Sequence, residues 1–395
     1  MSPQSTRRFR YVMVRSLHSE ETIKDLAIRR ALELGAASVR VVSAAPLSDT
    51  AAALAASFAR GDLATWGFGD TYAQRASNPQ SVLHGARAIV CVAMPYATPE
   101  PARDRLSGRV SNYAWSEDYH RRMQALLRDV AGEMDRAAGS AVTAVACDTK
   151  PLAERAFAAA AGLGWVGKHT NLIAPEFGSF IFLGEIVTTL DLPADAPLRK
   201  TCGGCRRCVD VCPTRALRGD YTIDATRCIA DLTQRTDAIP RELRPLVGDW
   251  VWGCDLCQIA CPPTQQAGEK GDGASRPFSP GNATPSLVWM LGLKSGEFKR
   301  RFAPTAMGWR GAAVLRRNAA VALGNALDRS TVPALLEALE HDPHPMVRGH
   351  AAWALGRIGS PAAIAGLQAR LAGGADPAIG DELEAALEPY GGASR

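Results

Sequence analysis

The sequence predicts an α+β multidomain chain. Three observations carry that reading: helical and strand patterns alternate through residues 1–192, eight of the ten cysteines crowd between Cys202 and Cys261, and a helical motif recurs near the end. With 395 residues, 47% hydrophobic and 22% charged, the chain is long enough to bury full cores in two or three domains.

Taken in order, a helical pattern runs from Ser19 to Leu34 and is closed by Gly35, and a strand follows at Ser38–Val42. Further strands are expected at Ala88–Ala93, Val142–Ala146 and Phe180–Leu190. Between them lie helices at Asp118–Ala131 and Leu152–Leu163, the second with Pro151 at its first turn and Gly162 and Gly164 as its stop. Residues 1–192 therefore read as an α/β domain. Pro193 and Pro197, flanking a short Ala/Asp stretch, mark a linker over Leu192–Pro197, residues 193–266 hold the cysteine module, and the Gly/Pro/Ser-rich stretch Ala267–Pro285 opens a linker and basic helical segment over 267–310. In the remainder, 311–395, Arg317–Gly324 (RNAAVALG) returns as Gly349–Gly356 (GHAAWALG), and Leu335 and Leu339 are echoed by Leu367 and Leu371. That period fits short HEAT-like repeats, which must stack on a neighbour to bury their apolar faces. They serve either as a stabilising cap or as a docking platform.

The net charge of +5 permits an anionic partner without requiring one. Its distribution says more: from Lys294 to Arg317 stand Lys294, Lys299, Arg300, Arg301, Arg310, Arg316 and Arg317 against the single acid Glu297. Arg300, Arg301, Arg316 and Arg317 are the candidate phosphate contacts; the alternatives are a solvated helical face, or a nucleic acid held by Arg206, Arg207 and Arg215. Arg7-Arg8-Phe9 lacks the apolar run of an export signal, because Ser19-Glu20-Glu21 and Lys24-Asp25 follow it. A cytoplasmic monomer without a membrane span is expected, and cysteines in that reducing compartment serve as metal ligands more readily than as disulfides.

Cys202, Cys205, Cys208 and Cys212 stand as C-x2-C-x2-C-x3-C before Pro213, the bacterial-ferredoxin spacing, and Cys254, Cys257 and Cys261 form C-x2-C-x3-C before Pro262. In such modules the last cysteine of each run crosses to the other cube. Cys202, Cys205, Cys208 and Cys261 then hold one [4Fe-4S] cluster, while Cys212, Cys254 and Cys257 hold three irons of the second, leaving Cys228 as its fourth ligand. Eight thiolates could also make two tetrahedral zinc centres, but zinc ribbons pair two C-x2-C knuckles across a longer loop. Cys91 and Cys147 lie in apolar strands and read as buried, inert thiols.

A cluster relay beside an α/β domain implies a redox cofactor or substrate there, which the residues do not name. No G-x-G-x-x-G follows a strand, and Asp118-Tyr119-His120 is followed by Arg-Arg-Met, so the Asp-x-His-x-x-Gly of a histidine-ligated cobalamin is missing. The blocks Asp148–Ile173 (DTKPLAERAFAAAAGLGWVGKHTNLI), Met94–Tyr96, Tyr113–His120 (YAWSEDYH), Gly178–Ile186 (GSFIFLGEI), RCIADLT (Arg227–Thr233) and GCDLCQIACP (Gly253–Pro262) resemble, in order, those of the epoxyqueuosine reductases. The likeness extends through Ile239–Gly248 and RRNAAVALGN into the repeats.

The resemblance implies a cobalamin-dependent reduction of epoxyqueuosine at the tRNA wobble position, with electrons from an unidentified external donor. It makes the first domain the cobalamin-binding domain and gives Asp148 the role of proton donor. Tyr113, His120, Asp148, Lys168, His169, Thr170, Asn171 and the cluster-proximal Thr214 should then face the corrinoid. Without the resemblance, Asp148 reads as a helix cap, His120 and His169 as ordinary hydrogen-bonded histidines, and Lys168 as a partner for some anionic group. An Asp148 partly withdrawn from water would retain a proton, against the pull of a helix N-terminus at Pro151. The chain departs from the family pattern at Ser116, at Ala230-Asp231, at Pro263-Thr264 and across Phe58–Pro79. Two other readings of the clusters are a cobalamin-dependent reductive dehalogenase and a non-catalytic electron carrier.

Overall fold

A computed structural model describes residues 22–270, 282–374 and 377–391. The Arg7-Arg8-Phe9 run and the expected helix start at Ser19 lie outside the described residues. In the first domain the chain forms α1 (Ile23–Glu33), β1 (Ser38–Ser43), α2 (Ser48–Ala59), α3 (Asp70–Ala76), β2 (Ala88–Pro95), β3 (Arg109–Val110), α4 (Tyr119–Ala138), β4 (Thr143–Ala146), α5 (Glu154–Ala160), β5 (Trp165–Val166), β6 (Leu172–Ile173) and β7 (Ile181–Thr188). The main sheet has the order β1-β2-β7-β4, every neighbour antiparallel. All of β2 is buried, because helices cover both faces. On one face α1 and α4 contribute Ala27, Ala31, Met123, Leu127, Val130 and Met134; on the other, Phe157 and Ala158 of α5 pack with Leu152, Leu163 and Val187. Met123, Leu127, Val130 and Met134 recur at helical spacing, each contributing about 1.5–3 kcal/mol on burial.

Each strand expected from an apolar run is present. The helix expected from Asp118 runs on to Ala138, where Gly139 turns left-handed at φ 72°. The helix expected from Leu152 starts only at Glu154: Leu152 N–H bonds the Lys150 carbonyl, and Ala153 N–H docks on the Ala76 carbonyl at 2.7 Å, holding these residues out of the helix. Asp148 is therefore not that helix's cap.

The cysteine module is mostly loop, with α6 (Arg207–Asp210), α7 (Ile229–Leu232), α8 (Arg244–Val247), β8 (Trp250–Trp252), α9 (Leu256–Ile259) and α10 (Pro262–Lys270). Beyond it, α11 (Leu287–Leu291) and α12 (Ser295–Arg301) lead to α13 (Ala312–Ala326), α14 (Val332–His341), α15 (Pro345–Ile358), α16 (Pro361–Ala372) and α17 (Gly380–Leu387). The repeated glycines mark close approaches: a Cβ on Gly324 would lie 2.9 Å from Ala354 Cα, and one on Gly356 2.7 Å from the Ala386 carbonyl.

The compositional boundaries do not separate cores. Val110, Ala114 and Trp115 of the first domain, Val251 and Trp252 of the module, and Leu287, Leu315, Ala319 and Leu355 of the helical tail share one buried cluster. Parallel pairing of β3 with β8 and a bond from Asp118 N–H to the Pro304 carbonyl join the same parts.

The tail also corrects the basic stretch. Arg316 is 8% exposed and Arg317 is fully buried, so neither offers a phosphate contact. Arg316 pairs with Asp342 at 2.6 Å, and Arg317 donates to the carbonyls of Asp237, Leu232 and Arg235 and to Asn318. Both lie on α13, which is buried nearly all round, so its arginines turn inward to satisfy loop carbonyls. Lys299 and Arg300 on α12 remain exposed, while Arg301 lies 4.5 Å from the Trp289 ring centroid and donates to Asn282.

Candidate active site and metal centres

The thiols fall into two neighbourhoods. Burial, then the adjacent Cys202, Cys261 and Cys205, push the Cys208 thiol up to about 11, and Cys261 is raised by burial and by Cys202 and Cys205. Cys228 is pushed up to about 11 by burial and by Cys212; Cys254 is raised by burial, Cys228 and Cys212; Cys257 by burial, Cys254 and Cys228. Among the described residues no three His, Cys, Asp or Glu groups converge on a single ion; Cys208 of the first neighbourhood also bears on Cys257 of the second. Backbone N–H groups of Ala230 and Asp231 favour the charged Cys228 sulfur, and that of Leu256 does the same for Cys254, the hydrogen bonding that supports thiolate ligands. Gly253, at φ 65°, lets the chain pass Ser111, whose Cβ would lie 2.5 Å from an added one. Asp255 is buried and pushed up to about 6 by desolvation, yet it accepts from Asn112 N–H at 2.7 Å and from Ser111 Oγ. It thus ties the second cysteine run to the segment carrying Tyr113.

Asp148 follows β4 in a left-handed conformation at φ 54°. Its side chain is 66% exposed, so it is not withdrawn from water as the sequence suggests. Tyr119 O–H donates to its Oδ2 at 3.1 Å, and His120 Nε2 lies 3.5 Å from the same oxygen. The other His120 nitrogen, Nδ1, is 2.6 Å from Asp118 Oδ1. Burial alone would discourage charge on His120, but the Asp148 and Asp118 carboxylates outweigh it and raise its pKa. Tyr119 stacks on His120 and on Phe182, and Phe182 stacks on Tyr96. Tyr113 accepts from Trp252 Nε1 at 2.9 Å and meets Tyr119 edge-on.

Behind Asp148 lie two groups that sequence reasoning missed. Glu154 Oε1 accepts the Asp148 backbone N–H at 2.5 Å, and Glu185 is fully buried beside Glu154. Burial lifts Glu154 to about 7 and Glu185 well above the carboxylate range, so the pair retains a proton at neutral pH. The available signal was a lone acid inside the apolar run Ile181–Thr188.

The Lys168–Asn171 loop separates its residues. Lys168 Nζ donates to the carbonyls of Gly203 at 2.8 Å and Cys205 at 3.1 Å, placing its charge against the first cysteine loop. His169 is 2% exposed, lowered to about 4 by burial; its Nδ1 accepts from Asn171 N–H, and its buried Nε2 has no partner. Thr170 is left-handed at φ 64°, and its carbonyl accepts from Arg155 at 2.8 Å. Thr214, fully buried, has its Oγ1 3.6 Å from Cys212 Sγ. Arg215, next to it, is also left-handed, as are Tyr221 and Leu327.

The family model described as Epoxyqueuosine reductase QueG, DUF1730 matches residues 76–149, a 4Fe-4S double cluster binding domain matches 201–264, and HEAT repeats match 300–388. The chain is 35% identical to the epoxyqueuosine reductase of Bacillus cereus over 74% of its own length and 78% of the relative's. It is 38% identical to the Xanthomonas campestris pv. campestris enzyme, over 73% of this chain and 83% of that one. A crystal structure of an epoxyqueuosine reductase with an epoxyqueuosine-modified tRNA-Tyr stem loop superposes with a TM-score of 0.84 at 32% identity, covering 93% of this chain and 98% of that one. A Bacillus subtilis epoxyqueuosine reductase, solved with an aspartate catalytic loop swung out of the active site, superposes with a TM-score of 0.84 at 30% identity, with the same coverage. Among the described residues no helix is long and apolar enough to cross a membrane.

Proposed function

Because the chain belongs to the epoxyqueuosine reductase family, we propose that it converts epoxyqueuosine in the tRNA wobble position to queuosine, with Asp148 as proton donor. The observation that carries the assignment is the Tyr119–Asp148–His120 contact, set in the family's active-site block against a double-cluster module. Two electrons and two protons enter, both epoxide C–O bonds break, a double bond forms between the two ring carbons, and the oxygen leaves as water.

Cys202, Cys205, Cys208 and Cys261 would hold one [4Fe-4S] cluster and Cys212, Cys228, Cys254 and Cys257 the other, supplying single electrons received from an external donor. A cobalamin would supply the low-potential centre that works on the epoxide. The residues present fit such a group: His169 Nε2 is a buried polar atom without a partner, and Asp148 stands exposed at the edge of the aromatic wall of Tyr113, Tyr119 and Phe182. His120, Thr170, Asn171 and Thr214 complete the proposed contact set. Lys168 instead contributes positive charge beside Cys205.

Asp148 gives its proton to the departing oxygen. Tyr119 fixes the Oδ2 atom, and His120, its pKa raised between two carboxylates, returns a proton to Asp148, so that the donor also supplies the second proton of the leaving water. Glu154 fastens the backbone of the donor loop. The relative's tRNA stem-loop complex supports an RNA substrate, held in part by the exposed Arg300 together with Arg301, and a tRNA substrate agrees with a cytoplasmic reaction. The direct test is anaerobic incubation of reconstituted protein and cobalamin with an epoxyqueuosine-containing anticodon stem loop, followed by nucleoside mass analysis. Loss of one oxygen atom from the modified nucleoside is expected; an unchanged nucleoside overturns the assignment.

A further inference from the structure

Of the eight tryptophans, Trp309 alone stands among the exposed large hydrophobic residues, at 50% exposure. It is not a stray surface ring. Trp66 stacks on it with centroids 5.6 Å apart and planes 19° apart, and the Arg310 guanidinium lies 3.6 Å from its centroid. The stack is anchored from below: Trp66 Nε1 and Thr65 Oγ1 donate to Asp231 Oδ1 at 2.7 and 2.9 Å, while Arg235 holds Asp231 Oδ2 at 2.7 Å. Asp231 is 6% exposed, so a buried carboxylate is committed to orienting an indole at the surface.

Its location supplies the occupant. Trp309 meets Trp252 edge-on at 6.5 Å, Trp252 bonds Tyr113, Tyr113 meets Tyr119, and Tyr119 bonds Asp148. The loop from Phe302 to Gly311 that carries Trp309 also touches the start of α4 through Pro304 and Asp118. The stack is thus joined to the proposed catalytic centre through a run of ring contacts, and it carries its own cation in Arg310. Flat aromatic surface next to positive charge is the chemistry that holds unpaired nucleotides: the bases stack on indole and guanidinium planes while cations meet the backbone.

We propose that Trp66, Trp309 and Arg310 form a stacking platform for an unpaired base of the tRNA anticodon loop other than the modified one. This rests on the tRNA reading of the proposed function and deepens it, because the platform would hold the loop while the wobble nucleoside reaches Asp148. The base extends the existing stack over the exposed part of Trp309 and Arg310, so recognition tolerates base identity and favours loops that can splay.

The test uses the full reconstituted chain and anticodon stem-loop RNAs in which each unpaired base in turn is 2-aminopurine. Binding should quench the fluorescence of a probe at one loop position other than the wobble nucleoside. Trp309→Ala should abolish that quenching and weaken RNA binding roughly 5- to 100-fold, with Trp309→Phe retaining most of both. Iron content monitors the fold, and Trp66→Ala, a change at a half-buried residue of the short turn Ala64–Trp66, gives a second reading if Trp309→Ala loses iron. Quenching by a wild type that does not reduce epoxyqueuosine would sink the reaction but keep the platform. No quenched position in a wild type that does reduce it, equal RNA affinity in Trp309→Ala, or a loss confined to cobalamin affinity would each overturn the platform.

Discussion

In the cysteine module the proposed ligands all come from residues 202–261, and short loops with fixed gaps bring the thiols of each run together. Around Asp148 the partners arrive from α4, from the start of α5 and from the middle of β7, brought together by an antiparallel sheet whose register sets Glu185 beside Cys91 and Ala146. One region encodes its chemistry in local spacing; the other encodes it in topology. Local spacing survives changes elsewhere, whereas a topological site depends on every strand that positions it. The two regions should therefore fail differently.

The largest effect is expected at Asp148. Asp148→Asn keeps the shape of the side chain and removes the proton, so kcat should fall about 10²- to 10⁴-fold while iron content and cobalamin binding persist. Unaltered turnover would remove Asp148 from the mechanism. Cys228→Ala probes the local region: iron should drop from about eight to between about four and seven per chain, with one cluster's spectroscopic signal intact. Simultaneous loss of both signals would show that the module assembles only as a unit.

The two arginine pairs sharpen the contrast between surface and interior. Arg317→Ala leaves the carbonyls of Leu232, Arg235 and Asp237 short of a donor and should cost about 3 kcal/mol, read as a lower denaturation midpoint. Arg300→Ala should change stability by less than about 0.5 kcal/mol while lowering the slope of log K against log salt for tRNA by up to about 0.9. The reverse pattern would return Arg317 to the nucleic-acid surface.

The smallest effect is a pH dependence. Burial lifts Glu154 from 4.5 to about 7, so the folded chain binds that proton more tightly than the unfolded one. The resulting stabilisation is complete below about pH 4.5 and is lost as pH rises through about 7. Glu154→Gln has no such proton to lose, so its melting temperature should gain on wild type by a few degrees across that interval. Parallel curves would place the titration elsewhere.

Cysteine spacing, apolar strands and the repeated RNAAVALG-type motif were all legible because each is a local pattern. Asp148 was legible only through resemblance, since a lone Asp before Pro151 has many uses. Tyr119 and Glu154 carried no signal of their own, because the sheet that gathers them is not written in either neighbourhood. A linear charge count places Arg316 and Arg317 beside Arg300, yet α13 is otherwise almost wholly apolar but for Asn318 and Asn325 and is buried nearly all round, and that pattern marks a helix whose arginines point inward. The corrected helix start at Glu154 has a similar origin: docking of Ala153 on Ala76 is a tertiary bond that overrides the local preference of Pro151.

The buried cluster shared by Val110, Trp252, Leu315 and Leu355 bears on how such a chain can evolve. The helical tail is not a cassette that recombination could exchange, because its inner helices form the lid over Trp252 and hence over Tyr113. Calorimetry should accordingly record the tail and catalytic domain melting in one transition, and a chain cut at residue 310 should refold neither half.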